Sequence, residues 1–429
     1  MAGRQYFIRE FSQPAVIPGR TGNVIAKFHA SEGNCFTDMA GTTLRTIAIA
    51  GSGRMGTDIF HYLSGLGYPI VWLCESATER DAQAALFRKK TDRQVRAGAV
   101  TGEARDRMIG KTRITCEVAD LASVDCVIEA IPEDAAAKAA LFRQLERVVR
   151  PDTVITTNTS SIRPSLLIGP EMKRERYAGL HFFYPVKLKN IAEIIVTDHT
   201  DERTLGLIRS FLKETGRPPI EMHERNGFIL NRIFLALQAQ AWRYCLDGAA
   251  SLRFIDAIVQ EDLFPSGVFS QFDAIGLDVV LPSVIRYVEY EKEAALYEPL
   301  ISELQRLVSL GRLGCKSGEG FYRYRGGEAD DAACCDGPAR GEISSVLRSL
   351  YINSSCKMLD AGICSREDLE HALEEYTGAD RGPFAMLDET GPAPVAELLD
   401  GLFASTGWSA YKPSDTLAGH GRNPAGERI

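Results

Sequence analysis

Three glycines set as Gly51-Ser52-Gly53-Arg54-Met55-Gly56 limit this chain more than anything else in it. The run 44–50 before them is short, apolar and β-branched. The apolar side chains after them, Ile59, Tyr62, Leu63 and Leu66, recur at helical spacing up to a stop at Gly67. A strand, a tight turn and a helix joined this closely belong to an α/β layer. In such a turn Gly51 permits the sharp backbone, Gly53 lets the main chain approach a ligand, and Gly56 lets helix and strand touch. The unpaired amides at the helix start then form a seat for phosphate groups. Arg54 could reach such a phosphate or simply stand exposed in the loop.

The turn is followed by more of the same layer. Residues 68–73, 124–131 and 153–157 are strand candidates, 79–109 reads as one or two solvated helices, and 135–149 reads as a further helix. This alternation predicts a doubly wound, Rossmann-type parallel sheet covered on both faces. At 429 residues the chain exceeds what one core usually serves, so two or three domains are expected. Near Asn226-Gly227 strand-like runs give way to long helical periods, and the rest of the chain reads as all-α.

That helical half repeats itself. Leu246-Asp247-Gly248-Ala249, Gly267-Val268-Phe269 and Asp273-Ala274-Ile275-Gly276 return as Leu359-Asp360-Ala361-Gly362, Gly382-Pro383-Phe384 and Asp388-Glu389-Thr390-Gly391, at an offset of 113 to 115 residues. An offset held across three landmarks implies two tandem copies of one helical unit. The expected organisation is an appendage of unknown role at 1–43, an α/β domain at 44–225, a first helical domain at 226–325, a linker at 326–342, and a second, degenerate helical domain at 343–429.

Composition removes several classes of function. A formal charge of -8 disfavours broad adhesion to nucleic acid or anionic membrane, although Lys89, Lys90, Arg93 and Arg96 form a local basic patch suited to a phosphorylated ligand. No run of about 20 apolar residues is present to span a bilayer. The ten cysteines have scattered spacings without a repeated Cys-x-x-Cys, which argues for reduced thiols in a cytoplasm-like compartment and against a disulfide frame or a metal site.

Two further features give the glycine turn a chemistry. Glu75 closes the second strand about 20 residues after the last glycine, where a carboxylate accepts both ribose hydroxyls of an adenosine and repels a 2'-phosphate, favouring NAD over NADP. His181 ends a strand-like stretch, and Glu193 lies in the next apolar run beyond a turn containing Pro185. A hairpin there would join them as a base and its orienting carboxylate, the pair that alcohol oxidation by NAD requires. On spacing alone, a chance His and Glu is the plainer reading.

Together these residues resemble the 3-hydroxyacyl-CoA dehydrogenase family, over roughly residues 44–398. The resemblance rests on Gly51 to Gly56, Val127-Ile128-Glu129-Ala130-Ile131-Pro132-Glu133, Thr157-Asn158-Thr159-Ser160-Ser161-Ile162, Gly179-Leu180-His181-Phe182-Phe183, Gly227-Phe228-Ile229-Leu230-Asn231-Arg232 and Gly311-Arg312-Leu313-Gly314-Cys315-Lys316-Ser317-Gly318-Glu319-Gly320-Phe321-Tyr322. It implies reversible, NAD-dependent oxidation of an (S)-3-hydroxyacyl-CoA. It also implies His181 as general base, Glu193 as its orienting carboxylate, and Ser160 and Asn231 as polar groups that hold the substrate. Glu133, Lys138 and Lys316 match positions that contact the ribose or nicotinamide end of the cofactor. Without the resemblance, Ser160 is a turn residue, Asn231 a helix-start residue, and both lysines are solvated charges.

The chain departs from the family pattern at Tyr184, where an asparagine is usual, and at Asn226, where a proline is usual. Coenzyme A would be met by the segment near Lys89 and Lys90, which reads equally as a solvated helix face. A carrier-protein thioester is the rival substrate, and a non-catalytic nucleotide-binding protein is the rival class. The second helical copy lacks the Gly227 to Arg232 motif, so one active site is expected, in a monomer or a homodimer.

Overall fold

The computed structural model describes residues 43–224, 229–289, 291, 294–324 and 339–419; the side chains of Ile229 and Asn231 lie outside this description. All but the last residue of the expected appendage, the Asn226-Gly227 boundary, and residues 326–338 of the expected linker also lie outside it. Residues 339–342, expected as linker, already belong to a helix.

Eight strands form one sheet in the order β3-β2-β1-β4-β5-β6-β7-β8. They are β1 (Ile47–Ala50), β2 (Ile70–Leu73), β3 (Thr112–Thr115), β4 (Cys126–Glu129), β5 (Val154–Thr157), β6 (Tyr177–Phe182), β7 (Ala192–Val196) and β8 (Pro219–His223). Alternate residues of β1 point to opposite faces: Ile47 and Ile49 enter one apolar cluster, and Ala48 and Ala50 enter another. The first cluster is covered by α1 (Arg54–Gly65), by Phe87 of α2 (Ala77–Arg96), and by α5 (Glu202–Glu214). The second is covered by α4 (Ala135–Val148). The charged stretch 79–109 forms two helices, α2 and α3 (Gly102–Gly110), capped by Ser76 and Thr101.

The expectation of a parallel sheet needs one correction. β7 runs antiparallel to β6, and β8 runs parallel to β7. The nine residues 183–191 that join β6 to β7 are too few for a crossover, which takes a dozen or more, so the chain turns straight back. The register of that hairpin sets His181 directly opposite Glu193.

The helical half repeats in three dimensions. α6 (Ile229–Leu246), α7 (Leu252–Asp262), α8 (Val268–Ile275) and α9 (Leu277–Val288) are followed by α10 (Glu298–Ser309). Then α11 (Ala339–Asp360), α12 (Arg366–Thr377), α13 (Pro383–Thr390) and α14 (Pro392–Thr406) run through the same sequence of elements. The two copies solve the same local problem alike. Asp256 accepts the amides of Phe269 and Ser270 at the start of α8, and Glu370 accepts those of Phe384 and Ala385 at the start of α13. α11 lies along α6, and one apolar core joins both copies to Phe183, Ile191, Ile195, Ile220 and Met222 of the sheet region. Among the described residues no single helix is long and apolar enough to cross a membrane.

Candidate active site

β1, β4, β5 and β6 run in parallel and end at one rim, and the strand order reverses between β1 and β4. Open α/β sheets bind ligands at such a switch point, outside the carboxyl ends of the strands. The glycine turn, Glu129, Ser160 and His181 all sit at this rim.

The turn is built by close approach. Gly51 has a φ of +119°, and a Cβ there would lie 2.4 Å from the carbonyl oxygen of Ala130. A Cβ on Gly56 would lie 2.1 Å from the carbonyl oxygen of Gly51. That same oxygen accepts the Trp72 indole N–H at 2.9 Å, while Trp72 stacks on Phe60 of α1. At Gly53 an added Cβ would meet nothing within 4 Å, and no side chain caps α1. The first amides of α1 are thus left for a ligand, beside a cleft of about 480 Å³ lined by Ser52, Gly53, Arg54, Asp58, Lys90 and Tyr184. This cradle fits the pyrophosphate of a dinucleotide. Glu75 is exposed just beyond β2, whose Leu73 carbonyl accepts the Gly51 amide at 2.9 Å. Met55 packs partly into the core beneath the turn.

His181 Nδ1 and Glu193 Oε2 are 2.6 Å apart, and Glu193 is fully buried. The other carboxylate oxygen accepts the amide of Leu230 at 3.4 Å, in the first turn of α6. A helix N-terminus suits a buried anion. Asn231 follows Leu230 in that turn; its side chain is outside the described residues. Asn158, just past β5, accepts the amide of Phe182 at 2.8 Å and fixes the strand end beside His181.

A second network organises the loops after β4 and β5. Lys138 Nζ meets Glu129 Oε1 at 2.7 Å, the carbonyl of Ile131 at 3.1 Å and Glu133 Oε2 at 3.3 Å. Three acceptors take its three hydrogens, and Lys138 is 1% exposed, so it is a buried brace and not the solvated charge of the plain reading. Glu129 also accepts the Thr157 hydroxyl at 2.6 Å and the Ile131 amide at 2.7 Å, which compensates its complete burial. Glu133 Oε1 in turn gathers the Ser161 hydroxyl at 2.8 Å and the Ser160 amide at 3.3 Å. Burial alone would raise the Glu133 carboxyl, but the Lys138 ammonium and the hydroxyls of Thr159 and Ser161 outweigh it and hold the group below its ordinary value. From the helical half, Tyr287 donates to the Ser160 carbonyl at 3.2 Å and Arg286 to Ser161 at 2.9 Å.

Lys316 lies elsewhere, in the turn that follows α10. It is ion-paired with Asp278 at the start of α9, eight residues, or about 12 Å of helix, from Arg286.

Helix α1 ties the glycine turn to the loop that follows His181. Arg54, Asp58 and Tyr62 share one helix face at i, i+4 and i+8. The Arg54 guanidinium lies 4.0 Å over the Tyr184 ring, and Asp58 accepts the Val186 amide at 2.6 Å. Tyr62 lies 3.8 Å under Arg217, which donates to the Val186 carbonyl. His61, which lines the cleft, is pushed down to about 4 by burial and then by Lys90. So low a value makes it a poor base near neutral pH. No group of side chains suited to hold a metal ion occurs among the described residues.

Two family models match the chain. The one described as 3-hydroxyacyl-CoA dehydrogenase, NAD binding domain, matches residues 46–225, and the one described as 3-hydroxyacyl-CoA dehydrogenase, C-terminal domain, matches 227–324 and 343–425. The 3-hydroxybutyryl-CoA dehydrogenase of Mycobacterium tuberculosis is 32% identical over 284 residues, covering 66% of this chain and 99% of that protein. The mitochondrial hydroxyacyl-coenzyme A dehydrogenase of Sus scrofa is 30% identical over 290 residues, covering 66% and 92%. The crystal structure of 3-hydroxybutyryl-CoA dehydrogenase from Escherichia coli K12 superposes with a TM-score of 0.76 at 25% identity, covering 88% of this chain and 98% of that one.

Proposed function

The chain belongs to the 3-hydroxyacyl-CoA dehydrogenase family, and on that premise we propose that His181, oriented by Glu193, is the general base in the NAD-dependent oxidation of an (S)-3-hydroxyacyl-CoA to the 3-oxoacyl-CoA. The observation that carries this reading is the 2.6 Å contact between the imidazole and the buried carboxylate, at the rim that also holds the glycine turn.

The Glu193 carboxylate accepts a hydrogen bond from the Nδ1–H of His181, which makes Nε2 the nitrogen that accepts the substrate's 3-hydroxyl proton. As that proton leaves and the hydrogen on C3 departs as hydride, the C3–O bond becomes a carbonyl and the positive charge gained by the imidazole is balanced by Glu193. NAD supplies the hydride acceptor when bound. The first amides of α1 and the Gly53 backbone would hold its pyrophosphate, and Glu75 its adenosine ribose. Glu133, held by Lys138 and by the Ser160-Ser161 turn, is the group proposed to reach its other ribose. Lys138 contributes through Glu133, and the position of Lys316 supports a role for it only at the far end of α9. Ser160 and Asn231 are proposed to steady the substrate oxygens. Run backwards, the imidazolium returns the proton and the ketone is reduced.

The phosphates of coenzyme A suit the cations at the mouth of the cleft, Lys90 with Arg93 and Lys187 beside it. The seven described cysteines are free thiols, which suits the reducing, cytoplasmic setting proposed here. A monomer or a homodimer is proposed, since two helical units already pair within one chain.

Incubation with NAD and (S)-3-hydroxybutyryl-CoA, followed by longer acyl chains, tests the activity. NADH should accumulate with at least one chain length. Absence of NADH with all of them would overturn the reading. Turnover confined to a carrier-protein thioester would reassign the carrier, and NAD binding without turnover on either thioester would favour a binding protein.

A further inference from the structure

The second helical copy lacks the motif that opens the first, yet it reaches the catalytic dyad. Tyr376, in the last turn of α12, sets its ring 5.2 Å from that of Phe183 at 71°, edge to face. Phe183 in turn sets its ring 4.5 Å from the imidazole of His181 at 67°. Tyr376 also packs 5.5 Å from Phe234 of α6, so it stands where the sheet and both helical copies meet. Its backbone is tied to the same hairpin loop as Phe183, because Lys189 donates to the Tyr376 carbonyl.

We infer that Tyr376 is a positioning residue for the His181–Glu193 pair, holding Phe183 edge-on against the imidazole so that the base keeps its aim at the substrate hydroxyl. The hydrogen bond to Glu193 fixes Nδ1, but a ring held at one atom can still rock about that contact. A second support against the ring removes this freedom. Edge-to-face ring pairs supply that support with defined geometry. Charge is consistent with this role. Burial first, and then the negative Glu193, push the Tyr376 phenol up to about 12, so it stays neutral and adds no competing anion beside the carboxylate. The second copy, with no site of its own, thereby forms a wall of the site in the first half of the chain.

This inference rests on the reading of His181 and Glu193 as the dyad, and the test separates the two. Full-length Tyr376→Ala should lower kcat by about tenfold to a hundredfold, the scale of loss expected when a catalytic group is misplaced by an ångström or less. KM for acyl-CoA and the Kd for NAD should change by no more than about twofold, the split expected of a residue that acts only through the imidazole. Tyr376→Phe, which keeps the ring, should recover most of the loss. Combined with Phe183→Leu, Tyr376→Ala should add little further loss, because both act through one contact. If Tyr376→Ala does not fold, Tyr376→Leu takes its place and is read in the same way. A near-normal kcat in the ringless variant, a Tyr376→Phe as defective as Tyr376→Ala, or losses that multiply would each overturn the inference. A normal kcat in Tyr376→Ala beside an inactive His181→Ala defeats the inference alone, whereas an active His181→Ala defeats the dyad itself.

Discussion

His181→Ala is expected to lower kcat by about three to four orders of magnitude while leaving the Kd for NAD within about twofold of the wild type, the scale set by loss of a positioned general base. The selectivity of the loss follows from where the side chain sits. His181 lies on β6 and meets Glu193 across the hairpin, whereas the phosphate cradle is made by backbone at Gly51 to Gly56, two strands beyond β5 in the sheet order. Removing the imidazole leaves that backbone untouched. Two other nitrogen bases near the rim are poorly suited to take over the base's work. His61 is held neutral with a value near 4, and Lys138 has every hydrogen engaged with Glu129, Ile131 and Glu133. Single-turnover measurements with NAD titrated by fluorescence separate the two quantities. A variant with near-normal turnover would place the base elsewhere.

Gly56→Ala should fail in the opposite manner, losing NAD affinity by about a hundredfold or more, as expected for a helix start displaced from its phosphate seat. The new methyl would fall 2.1 Å from the oxygen and 2.8 Å from the carbon of the Gly51 carbonyl, and both are backbone atoms that cannot swing aside. The helix must move off the turn. Since Arg54, Asp58 and Tyr62 on that helix grip the loop after His181, the displacement should carry into turnover as well. Gly53→Ala is the informative contrast. Its methyl meets nothing in the protein, so the variant should fold as the wild type does, and any loss of NAD affinity reports the closeness of backbone to phosphate alone. Wild-type NAD affinity in Gly56→Ala, measured by calorimetry, would contradict the assigned cradle.

What could be read from the sequence was what depends on neighbours in the chain. The glycine turn, its flanking strand and helix, and the helical character of 79–109 follow from local spacing, and the structure has all of them. The helical repeat was legible because its turns and caps recur at nearly fixed offset. The His181 and Glu193 pairing was legible only as far as a hairpin could be guessed, and spacing alone did not require it. The short connection 183–191 both reverses the sheet and creates the pairing, so the exception to the parallel strands and the approach of His181 to Glu193 share a cause.

The remainder is held by contacts between distant residues, which leave little local trace. Glu129 and Lys138 each look ordinary in the sequence, one ending an apolar strand and one on a polar helix face, yet together they form a fully buried ion pair. A charged residue at the end of a buried strand was the available signal. The grip of Asp58 on Val186 joins residues 128 apart, and the reach of Tyr376 to Phe183 crosses from the second helical copy to the sheet. Neither is visible before the chain is folded.

The central claim is that one imidazole, aimed by a buried carboxylate, meets the substrate's C3 oxygen beside the cofactor seat. It is tested most directly by the structure of the protein with NADH and a 3-oxoacyl-CoA, read at the distance from His181 Nε2 to the C3 oxygen. The account predicts a hydrogen bond of about 2.6–3.2 Å, with Nδ1 still on Glu193. A C3 oxygen bonded to some other proton donor, with His181 beyond its reach, would contradict it.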